Sequence, residues 1–210
     1  MNKPKYPSGY HYDDADLRHE HEYLLPELEK ILEDIGPGKV FDLGCGNGAV
    51  AARLERIGYS LTGVDPSEEG IQQAHRHHPD LDVYVRSAYD NLRDEFGKFP
   101  VVISLEVVEH VYRPREYADT LFKLLTAGGR AIISTPYHGY LKNLLISLQG
   151  GWGTTHYDPL WRGGHIKIWN QQTLTGLLEE AGFGEVDVRR VGRAFPPVAK
   201  SMIVVATKPE

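Results

Sequence analysis

The stretch Val40–Val50, VFDLGCGNGAV, decides how the chain reads. An apolar run meets Asp42, then glycine at alternate positions (Gly44, Gly46 and Gly48), then the first apolar residues of a helical pattern. The chain must turn sharply there, and glycine tolerates the backbone angles that such a turn requires. It also lets a ligand approach the main chain closely. A glycine-rich loop alone is weak, and the bland alternative is a tight turn with no ligand. Here the loop follows a strand and opens a helix, and Asp65 stands at the end of the next strand, in TGVDPS. A carboxylate in that place accepts hydrogen bonds from ribose hydroxyls, the general logic of nucleoside binding at the carboxyl ends of parallel strands.

Outward from the loop the pattern alternates. KVFDLG reads as strand, AVAARLERIG as helix, YSLTGVD as strand, SEEGIQQAHRHH as helix, and DVYVRSA and FPVVISLE as strands. PREYADTLFKLLTAGG follows as helix, RAIISTP as strand, QQTLTGLLEEAGF as helix, then EVDVRRVG and SMIVVATKP as strands. Strands separated by helical patterns imply right-handed crossovers and a mainly parallel sheet with helices on both faces, an α/β fold. RAFPPVAK joins the last two strands without a helix, which predicts a hairpin-like finish and one antiparallel strand near the C-terminus. Ahead of the loop, Leu24, Leu28, Ile31, Leu32 and Ile35 recur at helical spacing; Pro26 marks a kink or restart, and Gly36-Pro37-Gly38 a stop.

Composition narrows the class. The 210 residues suit one domain, 1–210, with a substantial core, and 41% hydrophobic with 25% charged residues is ordinary for a globular protein. A net charge of -6 makes nucleic acid an unfavoured partner, because phosphate binding draws on a basic excess, although it leaves room for a local basic patch. Cys45 is the single cysteine, so no intramolecular disulfide forms. With no signal-like pattern in MNKPKYPSGYHYDD, a reducing cytoplasm is the expected compartment. No apolar run approaches the roughly 18 residues of a membrane span.

Two cofactors compete for the loop. A nicotinamide enzyme favours G-x-G-x-x-G, with pyrophosphate on the helix N-terminus. This loop reads D-x-G-x-G-x-G, and the Asp42 carboxylate suits a cationic aminoacyl sulfonium ligand better than a pyrophosphate. DLGCGNG, the acidic VDPS, VVISLEVVEHV, LTAGGRAIISTP and the C-terminal strand pair together resemble the class I S-adenosylmethionine (AdoMet)-dependent methyltransferases, over nearly the whole chain. The resemblance implies a Rossmann-like sheet of seven strands. It implies that Asp42, Gly44, Cys45, Gly46 and Gly48 hold the methionine portion and Asp65 the ribose, with Pro66 and Ser67 beside the adenosine. Ser87 and Ala88, in RSAYD, fall where such enzymes contact adenine; many of them carry an acidic residue where this chain has Ser87. Leu105 and Glu106 close the cofactor list. Residues 1–36 are then a helical lid over the cofactor.

The second dense motif is SLEVVEHV, Ser104–Val111, which ends a buried strand with Glu106, Glu109 and His110. If a helical turn follows, these stand at i, i+3 and i+4 and share one face beside the cofactor. Two carboxylates and an imidazole suit Mg²⁺, Mn²⁺ or Zn²⁺, and His165 before the next helix offers a fourth ligand, with His156 as its substitute. The competing reading is a metal-free hydrogen-bond cluster in which Glu109 and His110 cap a helix or do acid–base chemistry; many methyltransferases carry E-x-x-E-H without a metal.

This combination resembles two sub-families: the ubiquinone-biosynthesis O-methyltransferases and the 3′-terminal small-RNA 2′-O-methyltransferases. Both act on a hydroxyl with a hydroxyl neighbour, and metal chelation of a vicinal diol lowers the hydroxyl pKa and aims the oxygen. The expected function is therefore O-methylation of a small, aromatic, catechol-like diol. Ribose methylation of RNA, metal-independent O- or N-methylation and a catalytically silent AdoMet-binding module are the alternatives.

The remaining candidates are lighter. His138, after the fifth strand, is a third catalytic candidate, placed to line the substrate pocket. His75, His77 and His78 read as a solvated helix face, His19 and His21 as exposed, and Cys45 as a packing residue rather than a nucleophile. Residues 136–168 form an insertion expected to cover the substrate, with Trp152, Tyr157 and Trp161 among glycines. Its segment YLKNLLISLQ is apolar on one side; the face packs on the domain, or serves an apolar tail or peripheral membrane contact.

Overall fold

A computed structural model describes residues 12, 14, 16–152 and 164–210. His156, Tyr157 and Trp161 lie outside the described residues, as do most of the first fifteen positions. Seven strands run in the order β3-β2-β1-β4-β5-β7-β6. They are β1 Lys39–Leu43, β2 Ser60–Asp65, β3 Asp82–Val85, β4 Phe99–Leu105, β5 Leu125–Pro136, β6 Val186–Val191 and β7 Ser201–Thr207. The first five pair parallel, and β7 enters antiparallel between β5 and β6. The Rossmann-like α/β sheet with one antiparallel strand is thus present as expected.

Helices α1 His21–Ile35, α2 Ala49–Arg56 and α3 Glu68–His77 cover one face. Helices α4 Leu92–Phe96, α5 Pro114–Leu124 and α7 Gln171–Glu180 belong to the other, and α6 Tyr140–Leu148 follows β5. Alternation along β1 divides the core: Phe41 and Leu43 join Tyr117, Leu121 and Leu178 on one face, while Val40 joins Leu24, Leu28 and Leu54 on the other. α1 carries Pro26 within its length and stops where Gly36 takes φ 92 and donates its N–H to Leu32 O. Among the described residues no helix is long and apolar enough to cross a membrane.

Two boundaries differ from the sequence pattern. The helix expected over PREYADTLFKLLTAGG ends at Leu124, because Leu125 already pairs with Phe99 and its segment becomes the start of β5. The short helix α4 was too brief, at 5 residues, to leave a periodic signal. What positions the site is the strand order. The chain builds β1, β2 and β3 outward in one direction, then returns to place β4 on the other side of β1. The carboxyl ends of β1 and β4 flank this topological switch point, where open α/β sheets leave a crevice for ligands. The glycine loop leaves β1 there, and SLEVVEHV leaves β4.

Candidate functional site

At the β1 end the backbone makes the loop. Gly44 and Cys45 both donate N–H bonds to Val64 O, at 2.8 and 3.0 Å, folding the loop back on β2. Gly44 takes φ 97, and a Cβ there would collide with Val107 of the other motif, so this glycine lets the two loops touch. Asp65 closes the arrangement: its Oδ2 accepts from Gly46 N at 3.0 Å and its Oδ1 from Ser67 N at 2.8 Å. Burial, and then the Asp65 charge, push the Asp42 carboxyl up to about 8. Burial raises Asp65 to about 6, against the pull of the Ser67 and Gly46 N–H groups. Two buried carboxylates that resist ionisation are the polarity that a ligand with a sulfonium and an ammonium group relieves. The donor set fits AdoMet on that ground.

A cavity of about 550 Å³ opens over this loop. Of the residues expected to hold the cofactor, Asp42, Gly44, Cys45, Gly46, Asp65 and Pro66 line it, and so do Ser87, Ala88, Leu105 and Glu106. Two are not on its wall. Ser67 caps α3 by accepting from Gly70 N, and Gly48 takes φ 76 at the start of α2, where a Cβ would stand 2.8 Å from the Cβ of Ala74. Both shape the site through the backbone. Tyr12, Arg18 and Glu20, within the expected lid, Tyr89, within RSAYD, and Asn47, which the sequence did not single out, line the cavity as well. Asn47 was legible as a polar residue inside the glycine loop; Tyr12 and Arg18 carried no local signal. His21, expected to be exposed, is half-buried, accepts from Arg18 N at 3.0 Å and lines the same cavity; burial lowers its pKa. His75 and His77 are exposed, as expected, and Cys45 is buried.

At the β4 end the chain is bent by Glu106, which has φ 54 and is the one non-glycine with positive φ among the described residues. Such a residue needs local support. Ser134 supplies it: its hydroxyl accepts from Glu106 N at 3.0 Å and donates to Glu106 Oε1 at 2.9 Å. A single turn follows, closed by His110 N on Val107 O, rather than a helix; α5 begins only at Pro114. The turn sends Glu109 inward, where it is 1% exposed. Its Oε2 accepts from Thr135 Oγ1 at 2.9 Å, while its Oε1 is buried with no hydrogen-bond partner. Burial, and then the Glu106 charge, raise the Glu109 pKa well above the carboxylate range.

His165 reaches this place by main-chain pairing. The Glu109 carbonyl accepts from both Ile166 N and Lys167 N at 3.0 Å, and Gly164 O lies 3.2 Å from His110 Nδ1. The His110 and His165 rings meet edge to face with centroids 5.0 Å apart. Glu109, His110 and His165 each offer a ligand atom, all within 4.8 Å of one another. A buried carboxylate oxygen without a partner beside two imidazoles fits a divalent cation. Glu106, expected among the ligands with Glu109 and His110, is not in this group; its carboxylate accepts from Ser134. His138 is not on the cavity wall either: it is buried, with Nδ1 3.1 Å from Asn143 Oδ1 and its ring stacked at 5.7 Å on Trp152.

The profile of a family described as a methyltransferase domain matches residues 11–187. The ubiquinone biosynthesis O-methyltransferase of Roseobacter denitrificans is 30% identical over 186 residues, covering 85% of this chain and 73% of that protein. The mitochondrial ubiquinone biosynthesis O-methyltransferase of Arabidopsis thaliana is 38% identical over 103 residues, 46% of this chain and 32% of that protein. The chain thus spans about a third of that relative, and 40% of the corresponding Caulobacter sp. protein. Among solved structures, a Pyrococcus horikoshii protein superposes with a TM-score of 0.73 at 22% identity over 95% of both chains. A SAM-dependent methyltransferase from Archaeoglobus fulgidus gives 0.65 at 16% identity, over 88% of this chain and 93% of its own. Likeness at these identities shows the fold.

Proposed function

The chain belongs to the class I AdoMet-dependent methyltransferases, and from that premise we propose that it methylates one hydroxyl of a small, catechol-like vicinal diol with the help of a divalent cation. The observation that carries the acceptor half is the buried Glu109 Oε1, which has no hydrogen bond, lies 3.9 Å from His110 Nε2 and groups with His110 and His165. Glu109, His110 and His165 would hold the cation, which would draw both acceptor oxygens in and make the reacting hydroxyl more acidic. AdoMet supplies an activated methyl group.

The chain's own residues do the rest. Asp42 and the glycine loop would hold the aminoacyl end of the cofactor and Asp65 its ribose. Glu106 and His110 face the cavity at the β4 end, which allows an acceptor oxygen to approach in line. Tyr12, Arg18, Glu20 and His21 line the cavity from the α1 side, in keeping with a lid that excludes water during transfer. The O-methyltransferase relatives favour oxygen over nitrogen as the acceptor atom.

A screen with labelled AdoMet over catechols, their monohydroxy counterparts and short RNAs, each with and without EDTA, tests the reading. Transfer to catechols that EDTA abolishes, and that falls when one hydroxyl is removed, is the expected result. Transfer indifferent to EDTA returns Glu109 and His110 to hydrogen-bonding roles, and transfer to RNA ends replaces the acceptor class.

A further inference from the structure

We propose that Asn47 is a positioning residue that latches the N-terminal segment across the aminoacyl end of the cofactor site, so that cofactor exchange requires the latch to open. The inference rests on the AdoMet-binding reading above. Asn47 sits inside the glycine loop and is 5% exposed. Its amide divides its work. Oδ1 accepts from Ala49 N at 3.3 Å, a bond that belongs to the local turn. Nδ2 donates to Asp14 O at 3.0 Å and to Asp16 O at 3.1 Å, main-chain carbonyls far back in the sequence. Both amide hydrogens are therefore spent on the segment ahead of α1, and neither on the loop that carries the residue.

What the latch holds is Tyr12. A Cβ on Gly46 would stand 2.6 Å from the Tyr12 hydroxyl, and a Cβ on Gly70 would stand 3.0 Å from its Cδ2. The two glycines, one in the loop and one in the first turn of α3, form a seat that any side chain would fill. Gln73 Nε2 donates to Tyr12 O at 3.4 Å, and the Arg18 guanidinium carbon lies 5.1 Å from the ring centroid. Tyr12 and Arg18 both line the cavity. The loop that receives the cofactor thus also carries the group that fastens the cover, and a single residue couples the two. Such coupling makes cofactor release slower than the loop contacts alone would.

The oxygen and the nitrogen of the amide separate the two roles in one experiment. Asn47→Asp keeps the acceptor for Ala49 N and removes both donors, setting a carboxylate against two carbonyls. Loss of two neutral hydrogen bonds shifts the open-to-closed balance by about tenfold or more, and the dissociation rate of S-adenosylhomocysteine should rise by that factor. The melting temperature of the ligand-free protein should fall by only a few degrees, since the same two bonds belong to its fold. Tyr12→Ala, which does not touch the turn, should accelerate release in the same way, and the double variant should release no faster than the faster single variant because both open one cover. Release at the wild-type rate in both variants overturns the latch while leaving AdoMet binding intact. A wild-type protein that binds no S-adenosylhomocysteine overturns the latch and the proposed function together.

Discussion

The two ends of the cavity are built on opposite principles. At the β1 end a carboxylate meets backbone N–H groups: Asp65 spends one oxygen on Gly46 N and the other on Ser67 N, and the loop is fastened to Val64 O. The geometry is complete without a ligand. At the β4 end it is not. Glu109 has one oxygen hydrogen-bonded to Thr135 and the other without a hydrogen bond, 3.9 Å from His110 Nε2, and its neighbours in space are two imidazoles, one of them from a segment more than fifty positions on. A self-sufficient site binds by shape, whereas a site with a buried orphan is waiting for a partner, because leaving a buried acceptor unmade is costly. The first end is the general device of the fold; on the proposed function, the second is where the acceptor is met.

If that division is real, one substitution at each end should separate binding from catalysis. Glu109→Gln should have the largest effect. On the proposed function it would lose the cation and with it several kcal/mol of transition-state stabilisation, so methyl transfer should fall about a hundredfold or more, with AdoMet affinity unchanged. Asp65→Asn should do the reverse. It loses the charged acceptor for the ribose and turns an amide NH2 against either Gly46 N or Ser67 N, so AdoMet affinity should weaken about tenfold or more while turnover at saturating AdoMet stays near wild type. Calorimetric titration and initial rates measure both. Loss of AdoMet affinity in the Glu109 variant would show that the two ends are one unit.

The same contrast explains what could be read beforehand. Strand order, the switch point and the glycine loop follow from contiguous patterns, since a turn's backbone angles and an alternating apolar run are local properties. Asp42 and Asp65 were legible for that reason. His165 was found as a candidate because a histidine stood before a helix, but only the pairing of Ile166 and Lys167 with Glu109 O brings it to the site. Glu106 was expected to share a face with Glu109 and His110 on the assumption of a helical turn after β4, and it lines the cavity without joining the Glu109–His110–His165 group. Its φ of 54 and the reciprocal clamp by Ser134 aim its carboxylate elsewhere, and no spacing rule contains that information. Tyr12 and Arg18 reach the cavity through tertiary packing of the N-terminal segment, which leaves no mark on periodicity.

Proton uptake gives a second, smaller test of the β1 end. Asp42 folds with its pKa raised to about 8, from an unfolded value of about 4. Within that window the folded chain holds a proton that the unfolded chain has released, so ligand-free stability should fall as pH climbs, and the contribution should be lost by about pH 8. Between pH 6 and 8 Asp65, raised only to about 6, is already ionised and adds little slope. A cationic ligand favours ionised Asp42, so AdoMet binding near neutrality should expel a proton and tighten with pH. Titrations in buffers of different ionisation heat report the count directly. Proton uptake on binding would place the cation away from Asp42.

The smallest effect is expected at His138, and it sharpens the boundary of the β4 end. The residue stands just past β5, beside strand ends that carry chemistry, and on sequence grounds it was a catalytic candidate. Its side chain is nonetheless committed to packing: it is 4% exposed, its Nδ1 faces Asn143 Oδ1 and its ring lies on Trp152, while its main-chain N–H donates to Trp169 O. General acid–base catalysis requires hydrogen-bond reach of the acceptor, directly or through a water, and the cavity wall does not include this residue. What His138 does is hold the start of α6 and Trp152 against the strand ends. His138→Gln, which preserves hydrogen-bonding to Asn143 and loses the stacked ring, should therefore leave turnover within about threefold of wild type, far short of the 10²–10⁴-fold typical of a lost general base. Any change should fall on the KM for the acceptor, through the shape of the insertion. A pH–rate profile that loses a limb in this variant would bring His138 into the chemistry and extend the reactive end of the cavity past β5.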